Sequence, residues 1–146
     1  MKLVYWTKAY RFCAGHRLFH PERDEEWNLR VFGKCSYPGG HGHNYTLEVT
    51  VRGEPAAETG RLISEEDLDS LIAGEVMANL DHRNLNEALS LDFGPAPTTE
   101  VVVLEIWRGL EKKIPPPAVL HRIKVSETAK NTFEYFGPGV GPAQAP

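Results

Sequence analysis

Residues 44–52 alternate strictly between apolar and polar side chains. Tyr45, Leu47, Val49 and Val51 share one parity, and Asn44, Thr46, Glu48 and Thr50 share the other. A period of two is that of a β-strand whose two faces see different surroundings. The remaining segments must be arranged around this strand. Residues 2–13 read as the strand before it. They are dense in aromatic and β-branched residues and apolar at both parities, so both faces are expected to be covered. Residues 53–63 read as a turn and a short return strand. Ser64 then opens a helix with Asp67 in the capping-box position and Leu68, Leu71, Ile72 and Val76 as its apolar stripe. Thr98 or Thr99 caps a second helix carrying Val101, Leu104, Trp107 and Leu110, and Pro115, Pro116 and Pro117 stop it. Residues 119–127 alternate again, with Val119, His121, Ile123, Val125 and Glu127 on one face. A last strand covers about 132–136.

The order strand, strand, helix, helix, strand, strand predicts an α+β fold: a four-stranded antiparallel sheet with two helices on one face. Such a sheet has two open edges that must be covered or paired. Closing them against neighbouring subunits into a shared barrel is one solution. The chain has 146 residues, which suits one domain over 1–136, with a Gly/Pro/Ala-rich, flexible tail over 137–146. Its net charge is -4 and no run of Lys/Arg occurs, which argues against a nucleic-acid or membrane footprint. Two cysteines, Cys13 and Cys35, read as free thiols in a reducing compartment. Neither a signal peptide nor a membrane span is visible, so the cytoplasm is the expected location.

Four stretches carry candidate chemistry. In HGHNY, His41 and His43 lie two apart, so on an extended backbone both imidazoles reach toward one metal. His16, at the end of the first strand, faces them if the two strands pair as a hairpin. His20 competes for that place from further into the loop. Three imidazoles with an open fourth position fit a catalytic zinc. Cys35 precedes His41 by six positions. It can be a fourth ligand, a base or nucleophile with a lowered pKa, or an inert loop thiol. Asp81 and His82 form either an acid–histidine proton relay or ordinary turn chemistry. Glu127 ends an apolar strand face, either at a wet rim or in a pocket for an N–H-rich ligand. Cys13 and His121 read as packing residues.

Together FCAGHRL, FGKCSYPGGHGHNY, LDHRNLN, the Thr98–Glu100 stretch and KVSET, spread over about residues 10–131, resemble the 6-pyruvoyl-tetrahydropterin synthase family in order and spacing. The resemblance implies the tunnelling fold: trimers forming a barrel, two trimers stacked as a homohexamer, and sites between subunits. It implies His16, His41 and His43 as Zn2+ ligands, Cys35 as catalytic base, and Asp81 with His82 as the relay. Glu127 would anchor the pterin, with Thr98 and Thr99 lining the same pocket. The implied substrate is 7,8-dihydroneopterin triphosphate, converted to 6-pyruvoyl-tetrahydropterin with loss of triphosphate. The rival is 6-carboxytetrahydropterin synthase of queuosine precursor synthesis, which uses the same substrate and also releases acetaldehyde. There the cysteine typically sits closer to the HxH pair; the wider spacing here favours the pyruvoyl type. Two departures stand out: FCAGH replaces the more usual FSASH, and ETAKN replaces ETDNN.

Overall fold

In the computed structural model, which describes residues 1–142, the first strand β1 (Val4–His16) and second strand β2 (His41–Gly53) form one long antiparallel pair. Its register runs from Val4↔Gly53 to His16↔His41 without interruption. Two further strands, β4 (Val119–Ser126) and β5 (Thr132–Tyr135), extend the sheet beyond β2, and a two-residue β3 (Arg83–Asn84) adds to the far edge of β1. The sheet therefore has five strands in the order β3-β1-β2-β4-β5 rather than the four expected. It is mixed, because β3 runs parallel to β1. A two-residue strand has no periodicity to read, which is why it was invisible in the sequence.

The loop between β1 and β2 holds α1 (Glu25–Phe32), capped by Asp24, whose Oδ1 accepts from the Trp27 N–H at 2.8 Å. Asn28 is buried and ties the loop together, accepting from the His20 N–H at 2.6 Å and donating to the His20 carbonyl at 3.1 Å. A 3₁₀ turn, Gly33–Ser36, follows. After β2, residues 54–63 form turns and irregular chain; the expected return strand is absent. The helix α2 (Glu65–Ile72) begins where Ser64 Oγ accepts from the Asp67 N–H at 3.0 Å, and it runs on through a π-helical turn, Ala73–Met77, into α3 (Ala78–Leu80). A short α4 (Leu85–Ala88) follows β3, and α5 (Thr99–Leu110) is capped by Thr98.

Leu68, Ile72 and Val76 from the α2 region and Val102, Ile106 and Leu110 from α5 bury against Leu47, Val49, Val51, Ile123 and Val125 of the sheet. Each such side chain stabilises the fold by roughly 1.5–3 kcal/mol when fully buried. The opposite face is polar: Arg122 pairs with Glu48 at 3.4 Å and Glu134 at 3.1 Å, and Lys124 with Glu48 at 3.4 Å. The outward face of β1 is accordingly open within one chain, not covered as its composition suggested.

One register fault changes a strand face. Thr50 pairs with Arg122 but Val51 pairs with Leu120, so His121 is the unopposed residue of a β-bulge. The bulge turns Leu120 inward with Ile123 and Val125, while Val119 is half exposed. Val119 and His121 therefore leave the core face that simple alternation gave them. His121 packs edge-on against Tyr5 and Phe136 instead. The expected tail, 137–146, lies outside the described residues from 143 onward. No helix among the described residues is long and apolar enough to cross a membrane.

Candidate active site and metal centre

The β1–β2 register brings His16 opposite His41, and the pleat turns His43 to the same face. The donor nitrogens of all three lie within 4.8 Å of one another. His16 Nε2 is 3.0 Å from His41 Nε2, and its Nδ1 lies 2.8 Å from the Pro97 carbonyl oxygen. A carbonyl only accepts, so Nδ1 carries the proton and the Nε2 lone pair is left for a metal. The His43 Nε2 is buried without a hydrogen-bond partner. Burial holds the His16 and His43 pKa values below the usual imidazole value, which keeps both rings neutral and able to ligate. A tautomer fixed by a backbone carbonyl, an orphaned buried nitrogen and neutral imidazoles are what a borderline transition metal such as zinc requires. At the entry to β2, Gly40 has φ +63°, and a Cβ there would meet the His16 carbonyl oxygen at 2.7 Å. Only glycine lets the loop return close enough to seat His41 against His16.

Glu127, just past β4, closes one side of this cluster. Its Oε1 lies 3.5 Å from His43 Nε2 and 3.8 Å from His16 Nε2, and it accepts from the Thr99 hydroxyl at 2.9 Å. The two threonines divide their work. Thr99 holds Glu127, whereas the Thr98 oxygen faces the Val101 N–H as the cap of α5. Tyr45 was read only as a core residue of β2. Its buried hydroxyl has no hydrogen-bond partner, and its ring stands edge-on to His43 with centroids 5.5 Å apart. Burial and the Glu127 carboxylate push its hydroxyl pKa up. The signal was its shared parity with His41 and His43. The role of Pro97 had no sequence signal, because a backbone carbonyl has no side-chain identity.

The other expected residues stand apart. Cys35 is in the 3₁₀ turn and is not among the three-imidazole group; its carbonyl accepts from the Leu18 N–H at 2.8 Å, which ties the turn to the chain just after His16. His20 is not part of the group either: its Nδ1 accepts from the Glu22 N–H at 3.2 Å and its ring packs on Trp27. Asp81 and His82 lie at the outer edge of β1. Asp81 Oδ1 accepts from the Cys13 N–H at 2.9 Å and is 3.0 Å from His82 Nδ1, while the His82 N–H donates to the Cys13 carbonyl at 2.6 Å. The Cys13 amide chiefly holds the Asp81 carboxyl below the usual carboxylate range. The His82 side chain is 79% exposed, and its backbone is left-handed at φ +59°. Cys13 is not a packing residue: it is exposed, and its thiol donates to Asn44 Oδ1 at 2.8 Å.

Comparison with known proteins matches residues 5–138 to the family described as 6-pyruvoyl tetrahydropterin synthase. The 6-pyruvoyl tetrahydrobiopterin synthase of Homo sapiens is 41% identical over 131 residues, covering 90% of each chain. That of Drosophila melanogaster is 38% identical over 136 residues, covering 93% of this chain and 81% of the relative. The solved structure of the Caenorhabditis elegans 6-pyruvoyl tetrahydropterin synthase superposes with a TM-score of 0.85 at 32% identity, covering 94% of this chain and 97% of that one.

Proposed function

The chain belongs to the 6-pyruvoyl tetrahydropterin synthase family, and we propose that it is the lyase converting 7,8-dihydroneopterin triphosphate to 6-pyruvoyl-tetrahydropterin, with elimination of triphosphate. The observation that carries this reading is the convergence of His16, His41 and His43 beside a buried carboxylate, Glu127, held by Thr99. The domain carrying it is 1–136.

In this reading His16, His41 and His43 hold Zn2+, which when bound supplies Lewis acidity to an oxygen of the substrate side chain. The Glu127 carboxylate accepts from the pterin amino and ring N–H groups, giving orientation as well as affinity. The Thr99 hydroxyl keeps that carboxylate pointed into the site. The Cys35 thiolate removes a proton from the substrate side chain, and triphosphate departs. His82, oriented by Asp81, returns protons during the tautomeric shifts that follow. No external redox cofactor enters the balance.

The Asp81–His82 pair projects from the far edge of β1 into solvent, not toward the imidazoles of its own chain. A relay so placed serves a site completed by a neighbouring subunit. This supports a homohexameric assembly with sites between subunits, as does the open outer edge of β5 at the margin of the sheet. With no run of basic residues for nucleic acid, a small molecule is the expected partner, and the cytoplasm the expected location.

The deciding experiment incubates the purified protein with 7,8-dihydroneopterin triphosphate and measures product mass and metal content on one sample. A pyruvoyl product from a zinc-loaded protein is expected; a carboxylated pterin with acetaldehyde would reassign it to the queuosine branch. Cys35→Ala should keep its zinc and its assembly while turnover falls at least about 10²-fold, the lower range for loss of a general base. Unchanged turnover would remove Cys35 from the mechanism.

A further inference from the structure

The described residues contain a second group of potential metal ligands, on the far side of β1 from the imidazole cluster. The Cys13 thiol, an Asp81 carboxylate oxygen and an imidazole nitrogen of His82 all lie within 4.8 Å of one another. The proposed reaction does not use Cys13. We propose that Cys13, Asp81 and His82 form a second site for a borderline or soft divalent cation such as Zn2+, Co2+ or Cd2+.

The donor set is one that such ions select: a thiolate, an imidazole and a carboxylate. The backbone assembles it. The Cys13 amide holds Asp81 Oδ1 at 2.9 Å, leaving the second carboxylate oxygen available, and the Cys13 carbonyl receives the His82 N–H at 2.6 Å. The latter contact pins His82 in its left-handed conformation at φ +59°, which turns the ring back beside Asp81. Asn44 Oδ1, 2.8 Å from the Cys13 sulfur, orients the thiol and offers a neutral oxygen next to the site. Within one chain, the concavity lined by Cys13, Gly42, His43, Asn44, His82 and Arg83 is open to water. Coordination releases the thiol proton to solvent, and no electron transfer is involved.

Occupancy of the site does not depend on the reaction proposed above, but one consequence does. An ion on Asp81 and His82 withdraws both from proton transfer, so the same cation that supports turnover at the first site inhibits from the second.

The test is a Co2+ titration of the assembled protein, followed by its near-ultraviolet absorption and its turnover. The wild type should take up two equivalents per chain, the second bringing a thiolate-to-metal charge-transfer band and a loss of turnover of about 10²-fold, as expected for silencing an acid–base pair. Cys13→Ser and Cys13→Ala should take up one equivalent, lack the band and keep full turnover in excess metal. Cys35→Ser should keep the band. A single equivalent in the wild type overturns the site, and so does a band that survives in both Cys13 variants. A Cys13-dependent band with undiminished turnover keeps the site and refutes the relay role of His82 instead.

Discussion

Two histidine-bearing regions flank opposite sides of β1, and they are built on opposite principles. The imidazoles of His16, His41 and His43 are fixed by strand register, packed under Tyr45 and backed by Pro97 and Glu127. Asp81 and His82 sit on a turn between α3 and β3, with the imidazole mostly in water and the backbone held in a disfavoured conformation by a single contact to Cys13. The first region is preorganised by burial, which suits groups that must stay put around an ion. The second is preorganised only locally, which suits a group that must gain and lose protons and reach a partner surface. In the mechanism proposed above, the difference separates holding from transferring.

If that division holds, each region should fail in its own way. The largest effect is expected for His16→Ala. Zinc content should collapse and turnover fall by about 10³-fold, since a Lewis acid contributes several kcal/mol and each 1.36 kcal/mol is tenfold; a variant that kept its metal would show that two imidazoles suffice. His82→Ala comes next: turnover down about 10²-fold with zinc content unchanged. His82→Gly should lose the same turnover yet be more stable than His82→Ala by about 1–2 kcal/mol, the cost of a left-handed non-glycine residue. Loss of zinc in either His82 variant would mean that the two regions are not independent. Smaller again is Thr99→Val, which strips a hydrogen bond of about 1.5–3 kcal/mol from the Glu127 carboxylate. KM should rise about tenfold or more while zinc content holds, and an effect on kcat alone would move Glu127 from binding to chemistry.

The same division governs what could be read before the structure. The imidazole cluster was legible because parity is a sequence property: His41 and His43 share a face, and a hairpin partner ending in His16 must meet them. Tyr45 obeyed the same rule and was overlooked, since an aromatic on an apolar face looks like core until its hydroxyl is found unpartnered. For Asp81 and His82 the residues left a proton relay and turn chemistry both open, and only the resemblance chose between them, because nothing in LDHRNLN fixes where a turn points. Three features had no local signature at all: the bulge at His121, which needs the register of two strands, the parallel β3, which is too short for any period, and the exposed face of β1. That last error has a physical reason. Apolar residues on both faces of a strand signal burial on both, and in the assembly proposed above one chain would supply only one of the covering layers.

The smallest expected effect is one of pH, and it falls on the buried region together with His121, whose pKa is also lowered, by partial burial and by Arg52 and Arg122. Burial lowers the pKa values of His16 and His43 from the ordinary 6.5, so the metal-free fold resists protonating them while the unfolded chain does not. Above about pH 6.5 both states hold neutral rings and the two residues contribute no pH dependence. As pH falls through that value the unfolded state binds more protons, and stability declines with it. Asp69, Asp81 and Asp92 also have lowered pKa values, but their contribution fades only as pH falls below their ordinary 3.8, a separate window. Thermal melts of the chelated protein should therefore show a drop between neutrality and about pH 5 that the zinc-loaded protein resists. The drop should shrink to the share of His121 in a His16→Asn, His43→Asn double variant and persist in His82→Ala. If His82→Ala abolished it, the titrating group would be the exposed histidine, and burial would no longer distinguish the two sides of β1.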